Sequence, residues 1–107
     1  MKEKNIEEIS IKLGENDSEN WELIKKANGN YLWVHLASFP SGHAIIESEN
    51  PSKNVIIEAA NFCKENTKYR NLSNLKITTT LCKNLKKGNK IGEVFFIKNK
   101  NIKEFVL

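Results

Sequence analysis

The sequence predicts a single α+β domain of about six strands, in a largely antiparallel or mixed sheet, with two helices. Three observations carry this. Short runs that alternate apolar and polar residues recur along the chain. Two other segments repeat apolar residues at helical spacing. The length, 107 residues, suffices for one modest hydrophobic core and not for two. In order the elements read β, α, β-β, α, β, β-β, with no internal repeat.

Residues 1–5 read as a frayed tail, and Ile9, Ile11 and Leu13, alternating with Ser10 and Lys12, make a half-buried first strand closed by Gly14. Asn16 and Glu19 stand at the offset of a capping box, so a helix follows over 18–28, with Gly29 as its left-handed stop. Trp21 is expected to anchor that helix on the sheet. The next run, Tyr31 to Leu36, places Leu32, Val34 and Leu36 on one face and Trp33 and His35 on the other. Five residues, Ser38 to Gly42, separate it from a second apolar run, His43 to Ile46. That length fits an antiparallel pair, with Pro40 fixing φ and Gly42 free to take positive φ. The pairing brings the only two histidines to one end of one ribbon.

The strongest helical pattern spans 52–66, where Ile56, Ala59, Ala60 and Cys63 form one stripe that Val55 and Phe62 broaden. Thr67-Lys-Tyr-Arg70 follows it, either as favourable charge at a helix end or as a phosphate grip. Leu75, Ile77 and Thr79 alternate with Lys76, Thr78 and Thr80, a β-branched strand with a polar, weakly positive face. Residues 82–92 carry Lys83, Lys86, Lys87 and Lys90 among two glycines and read as a basic loop leading into a strand over 93–97. Asn99-Lys-Asn101 turns the chain into a last strand, Ile102 to Leu107.

The chain has 17 basic and 13 acidic residues, net +4. The distribution says more: residues 1–22 hold 3 basic and 7 acidic side chains, residues 23–59 hold 3 of each, and residues 60–107 hold 11 and 3. Such a positive C-terminal half attracts polyanions, or it fills exposed positions with lysine. No apolar run is long enough to span a membrane, and the first residues are too polar for a secretory signal, so work in the cytosol or nucleus is expected. Cys63 and Cys82 fit no paired metal-ligand spacing and are expected as reduced structural thiols.

Catalysis is poorly supported, because no metalloprotease, phosphate-loop, nucleophile-elbow or dinucleotide motif occurs. Two histidines without a third ligand or an obvious carboxylate partner make neither a metal site nor an acid–base pair, and no cofactor is expected. Nucleic-acid binding is better supported: Arg70, Lys83, Lys86, Lys87 and Lys90 attract at long range, Trp33 is a candidate exposed ring, and His35 and His43 can donate to phosphate or base edges. Trp33 is equally compatible with packing under a helix, and a ring-rich face rimmed by lysines equally suits a protein partner.

Several separated segments, in order, resemble the NFACT RNA-binding domain. They are Gly14 to Asn20, Trp33-Val-His35, Pro40-Ser-Gly-His43-Ala-Ile-Ile46, Glu58-Ala-Ala60, Thr67-Lys-Tyr-Arg70, and Lys83-Asn-Leu-Lys-Lys-Gly88 with Gly92-Glu-Val94. The resemblance covers about residues 9–106 of a single domain, 1–107. It implies a non-catalytic module that binds RNA, tRNA or rRNA, as in ribosome-associated quality-control factors, with the ribosome or a quality-control protein as further partner; DNA remains open. Carried over onto the matching segments, it implies that Trp33, His35, Ser41, Gly42, His43, Lys68, Arg70, Lys83, Lys86 and Lys87 touch RNA, and the charge pattern adds Lys90 to these expected contacts. This chain departs from the family pattern at Tyr31, where an aspartate is usual, at Thr79, where a tyrosine is usual, and in the Ser41-Gly42 order.

Overall fold

The computed structural model describes residues 1–107 except Ser38 and Pro40, so the expected role of Pro40 lies outside the described residues. Among the described residues, two α-helices and eight strands form, beside two short 3-10 turns: β1 (Lys2–Ile6), β2 (Ile9–Leu13), α1 (Asp17–Lys26), β3 (Leu32–Leu36), β4 (Ala44–Ile46), α2 (Lys53–Glu65), β5 (Lys76–Leu81), β6 (Leu85–Lys87), β7 (Val94–Phe96) and β8 (Lys103–Val106). Six strands make one sheet in the order β1-β2-β4-β3-β5-β8, and every neighbouring pair is antiparallel. β6 and β7 form a separate two-stranded ribbon. The α+β class and the predominantly antiparallel sheet are therefore as the sequence predicts.

Strand alternation divides the core in two. Ile11, Leu13, Val34, Leu36, Ala44, Ile46 and Ile77 point to one face and bury against Val55, Ala59, Ala60 and Cys63 of α2. The small Ala59-Ala60 pair lets that helix approach the sheet, and Ser52 caps it by accepting from Val55 N–H at 3.3 Å. The opposite face carries Trp33 and Ile45, which pack with Leu23 of α1 and with Cys82 and Leu85. α1 begins as predicted, with Asn16 Oδ1 accepting from Glu19 N–H and Glu19 accepting from Glu15 N–H, both at 2.9 Å. Both cysteines are buried free thiols whose pKa burial pushes up to about 12.

Five local expectations are corrected. Residues 1–5 are not a frayed tail but most of β1, joined to β2 through Glu7 and Glu8, both in the left-handed region at φ 51° and 65°. Two positive-φ residues match the right-handed twist of a tight hairpin, and the charged sequence suits an edge strand that must not recruit another chain. Gly29 and Gly42 do not have positive φ. Their value is space, since a Cβ at Gly29 would press on Lys83 Cβ at 3.0 Å and one at Gly42 would strike the carbonyl oxygen of Gly14. Part of the basic loop is strand β6, because burying Leu85 and turning at 88–93 lets Lys87 pair with Val94. Thr78 and Thr80 are not an open polar face but buried, Thr80 beneath Asn84. Trp21 anchors α1 to the ribbon and not to the sheet: its Nε1–H donates to Glu93 O at 2.9 Å, and Lys87 Nζ lies 4.8 Å from its ring centre.

The hairpin yields a test. A left-handed residue with a Cβ costs about 1–2 kcal/mol, of which the entropy of glycine takes back about 0.5–1 kcal/mol. Glu8→Gly is therefore expected to stabilise the fold by about 0.5–1 kcal/mol and to raise Tm by about 3–6 °C in a thermal melt. Glu7 is left in place because its carboxylate accepts from Asn54 Nδ2 at 2.8 Å. An unchanged or lower Tm would mean that the turn carries no strain.

Candidate nucleic-acid interface

The site is assembled at the end of β3 by a short chain of hydrogen bonds. Gly14 N–H donates to His43 O at 3.1 Å, and His43 N–H donates to Asn20 Oδ1 at 3.1 Å. Asn20 is buried on α1, and a Cβ at Gly14 would collide with its amide. Helix α1, β2 and β4 are thereby held at a distance that aims the His43 ring at Trp33 and His35. Trp33 and His35 rings stack at 5.2 Å and 16°, while His43 meets both edge-on, at 5.4 Å and 4.8 Å. Phe96 of the ribbon closes the group, edge-on to Trp33 at 5.7 Å.

These rings border a cleft of about 460 Å³. Asp17 and Asn20 of α1, Ser41, Thr78 and residues 90–94 complete its walls. Trp33 is only 2% exposed, so of the two readings, exposed ring or packing, the structure shows packing, against Leu23 of α1 and Phe96 of the ribbon; His43 is 5% exposed and His35 is half-buried. Burial holds both imidazoles neutral, pushing the His35 pKa down to about 4 and, with the neighbouring ring adding repulsion, that of His43 to about 3. A neutral imidazole offers one donor and one acceptor instead of a charge. Trp33 Nε1 and His43 Nδ1 are buried with no hydrogen-bond partner among the described residues. Each such group costs about 1–3 kcal/mol, and a fold tolerates that cost chiefly at functional places.

The predicted residues do not all meet here. Trp33, His35, Ser41, His43 and Lys90 line the cleft. Ser41 and Gly42 also line an adjoining depression with Lys68, Thr67, Asn16 and Asn20. Lys83 lines a different groove, with Lys98, Lys100 and Lys103. Lys87 sits over Trp21, while Lys86 and Arg70 are exposed and border neither place. The rim of the ring cleft holds one lysine against two carboxylates, Asp17 and Glu93. Among the described residues no group of three or more His, Cys, Asp or Glu side chains is arranged to hold a metal, and no helix is long and apolar enough to cross a membrane.

Sequence reasoning missed Asn84, Lys98, Lys100 and Lys103. Asn84 is buried and uses its whole amide, donating to Thr80 Oγ1 at 3.0 Å and Lys98 O at 2.9 Å and accepting from Lys98 N–H at 2.8 Å. Nothing in its local pattern marks an asparagine in a basic stretch as a clamp. The three lysines were visible as spacing, at 98, 100 and 103, but only the clamp turns them toward Lys83.

A model of the NFACT protein RNA binding domain matches residues 2–98. The Rqc2 homolog RqcH of Bacillus subtilis (strain 168) is 28% identical over 82 residues, which cover 76% of this chain and 14% of that protein. The C-terminal structure of the fibronectin/fibrinogen-binding protein from Streptococcus suis superposes with a TM-score of 0.83 at 28% identity, covering 92% of this chain and 40% of that one. The chain thus spans a small part of the one relative and less than half of the other.

Two tests follow from this geometry. Both histidines have folded pKa values, about 4 and about 3, far below the unfolded value near 6.5. Their contribution is therefore complete above pH 6.5 and is lost as pH falls, because only the unfolded chain takes up the protons. Between pH 7 and pH 5 the loss is about 2 kcal/mol per ring, and His35→Gln should halve it in urea titrations at the two pH values. An unaltered pH dependence in that variant would place His35 in open solvent. Asn20→Ala leaves the buried His43 N–H without an acceptor and should cost about 1–3 kcal/mol in the same titration.

Proposed function

The chain belongs to the NFACT protein RNA-binding domain family, and from that premise we propose that it is a non-catalytic module that engages structured RNA, tRNA or rRNA, in translation or ribosome-associated quality control. In this reading residues 1–107 act as one domain in the cytoplasm, and the ribosome or a quality-control protein is its further partner. The observation that carries the reading is the ring cleft at the end of β3. Its neutral imidazoles suit a base edge, which both donates and accepts, better than a phosphate, which only accepts. The surplus of one carboxylate at the rim points the same way. An unpaired base from a loop or bulge is the part of a structured RNA that such a cleft can receive.

The roles divide accordingly. His35, more accessible than Trp33 and His43, contacts the base, while those two rings set its plane from behind. Ser41 shapes the mouth and also fixes the strand end, accepting from Leu36 N–H at 3.3 Å. Gly42 supplies the close approach that lets the mouth form. Lys90 and Lys68 reach flanking phosphates, and exposed Arg70, Lys86 and Lys87 add long-range attraction.

A protein partner is the second reading, favoured by one observation: Ile91, Phe95 and Ile97 stand exposed on the ribbon, at 57%, 41% and 56%. The two readings separate in a titration of the purified chain with a fluorescent RNA stem-loop carrying unpaired bases. Loss of one stacked base contact is worth about 1 kcal/mol or more, so His35→Ala should weaken binding about fivefold or more with little change in salt dependence. Equal binding by His35→Ala and the parent would remove the cleft from the RNA contact. Phe95→Ser, at an exposed ring that borders neither the cleft nor the neighbouring lysines, should leave RNA affinity as it was; a loss there would favour the ribbon as the binding surface.

A further inference from the structure

The four lysines that gather away from the ring cleft call for their own account. Lys83, Lys98, Lys100 and Lys103 line a groove of about 580 Å³ that is completed by Leu32, Thr79, Thr80, Leu81, Asn84, Ile97 and Asn101. No carboxylate lines it. The ion pairs among the described residues use Lys12, Lys26 and the N-terminal ammonium, so none of these four is neutralised within the chain.

Their backbones are nonetheless fixed. Lys83 N–H donates to Gly29 O at 2.9 Å, the contact that requires glycine at 29. Lys98 is held on both sides by the Asn84 amide, and Thr80 Oγ1 donates to Asn101 O at 3.0 Å. Lys103 is paired to Thr79 in the sheet. Gathering like charges without a counter-charge opposes folding, and an anion in the groove removes that opposition. Rooted lysines with free ammonium heads around a groove that holds no carboxylate describe a cradle for phosphates, which lysine meets as a point charge, while Leu32, Leu81 and Ile97 give it apolar walls.

We propose that this groove is a second RNA contact, one that binds the phosphate backbone, distinct from the ring cleft and resting on the RNA-binding reading above. Thr78 at the cleft and Thr80 at the groove are two residues apart on β5 and share one face of the sheet, about 7 Å at strand rise, which is close to the rise of two stacked nucleotides. One strand therefore has the reach to place a base in the cleft while its backbone lies along the lysines. Charge and base recognition are divided between two places, and each should leave its own signature.

The test uses the full chain and the same fluorescent RNA stem-loop, extended by a single-stranded 3′ arm and titrated at several KCl concentrations. The variant Lys98→Gln/Lys100→Gln/Lys103→Gln alters exposed side chains only, and circular dichroism checks its fold. With about 0.7 counterions released per neutralised phosphate on a single strand, three lost contacts should reduce the slope of log affinity against log salt by about 2. Affinity near physiological salt should fall by about 10-fold or more. A charge-matched control, Lys25→Gln/Lys26→Gln/Lys53→Gln, should change both far less. Equal effects in the two triple variants, or none in the first, would overturn the groove while leaving RNA binding by the parent intact. Failure of the parent itself to bind RNA would remove the underlying reading and the groove with it.

Discussion

One buried hydrogen bond, from His43 N–H to the side-chain oxygen of Asn20, ties together the parts of this molecule that matter for binding. It joins α1 to the start of β4, and it works only because the chain is bare on both sides of it. Gly14 leaves room for the amide, and Gly42 leaves room for the Gly14 carbonyl. A methyl group at either place would have to push the helix or the strand away, at a cost of about 1–3 kcal/mol for an overpacked site. The ring cluster follows from that closeness, since His43 reaches Trp33 and His35 only when β4 begins where this bond holds it. The helix in turn carries Trp21, which draws the ribbon across the rings and makes a cleft of what would otherwise be an open sheet face.

Closing the rings under the ribbon decides their electrostatics. An imidazole in water is poised to become a cation near neutrality, and a sequence with two of them near many lysines suggests a positive site. Burial reverses this, because removing the charged form from water costs more than the surroundings return. The cleft is left neutral at its floor and slightly acidic at its rim, while the free cations gather where Asn84 and Gly29 place them. In the proposed reading, the fold thereby keeps apart the two things a nucleic-acid surface must do: attract a polyanion and discriminate among its bases.

Much of this architecture was legible in the residues. Alternation marked β2, β3 and β5, helical spacing marked both helices to within about two residues, the Asn16 cap marked the start of α1, and the pairing of the two histidines followed from strand parity and loop length. What escaped has a common cause. The hairpin at Glu7-Glu8 lacks the glycine or asparagine that advertises such a turn, so a real strand looked like a tail. Strand β6 is three residues long and two of them are lysines, so only its partner β7 reveals it. Thr78 and Thr80 were read as a polar face because nothing local shows that Asn84 will cover Thr80. Local pattern sets which way a side chain points from its own strand; whether that direction meets water or another element is decided by residues far along the chain.

The same dependence explains where this chain departs from its family's pattern. Tyr31 stands where an aspartate is usual, and it is partly buried beside Leu23, Trp33 and Cys82, with its carbonyl accepting from Cys82 N–H at 2.8 Å. A carboxylate there would have to stay in water or lose its charge, whereas the phenol ring extends the apolar layer behind the ring cleft. Thr79 stands where a tyrosine is usual, and it lines the lysine groove. A tyrosine at that place would occupy space that the shorter threonine leaves to the groove, and it would separate the lysines around it. One substitution thus adds apolar mass behind the cleft, and the other removes bulk beneath the cations. The departure at Tyr31 also removes a negative charge, whereas that at Thr79 acts through volume alone, so the two reshape the proposed contacts by different means.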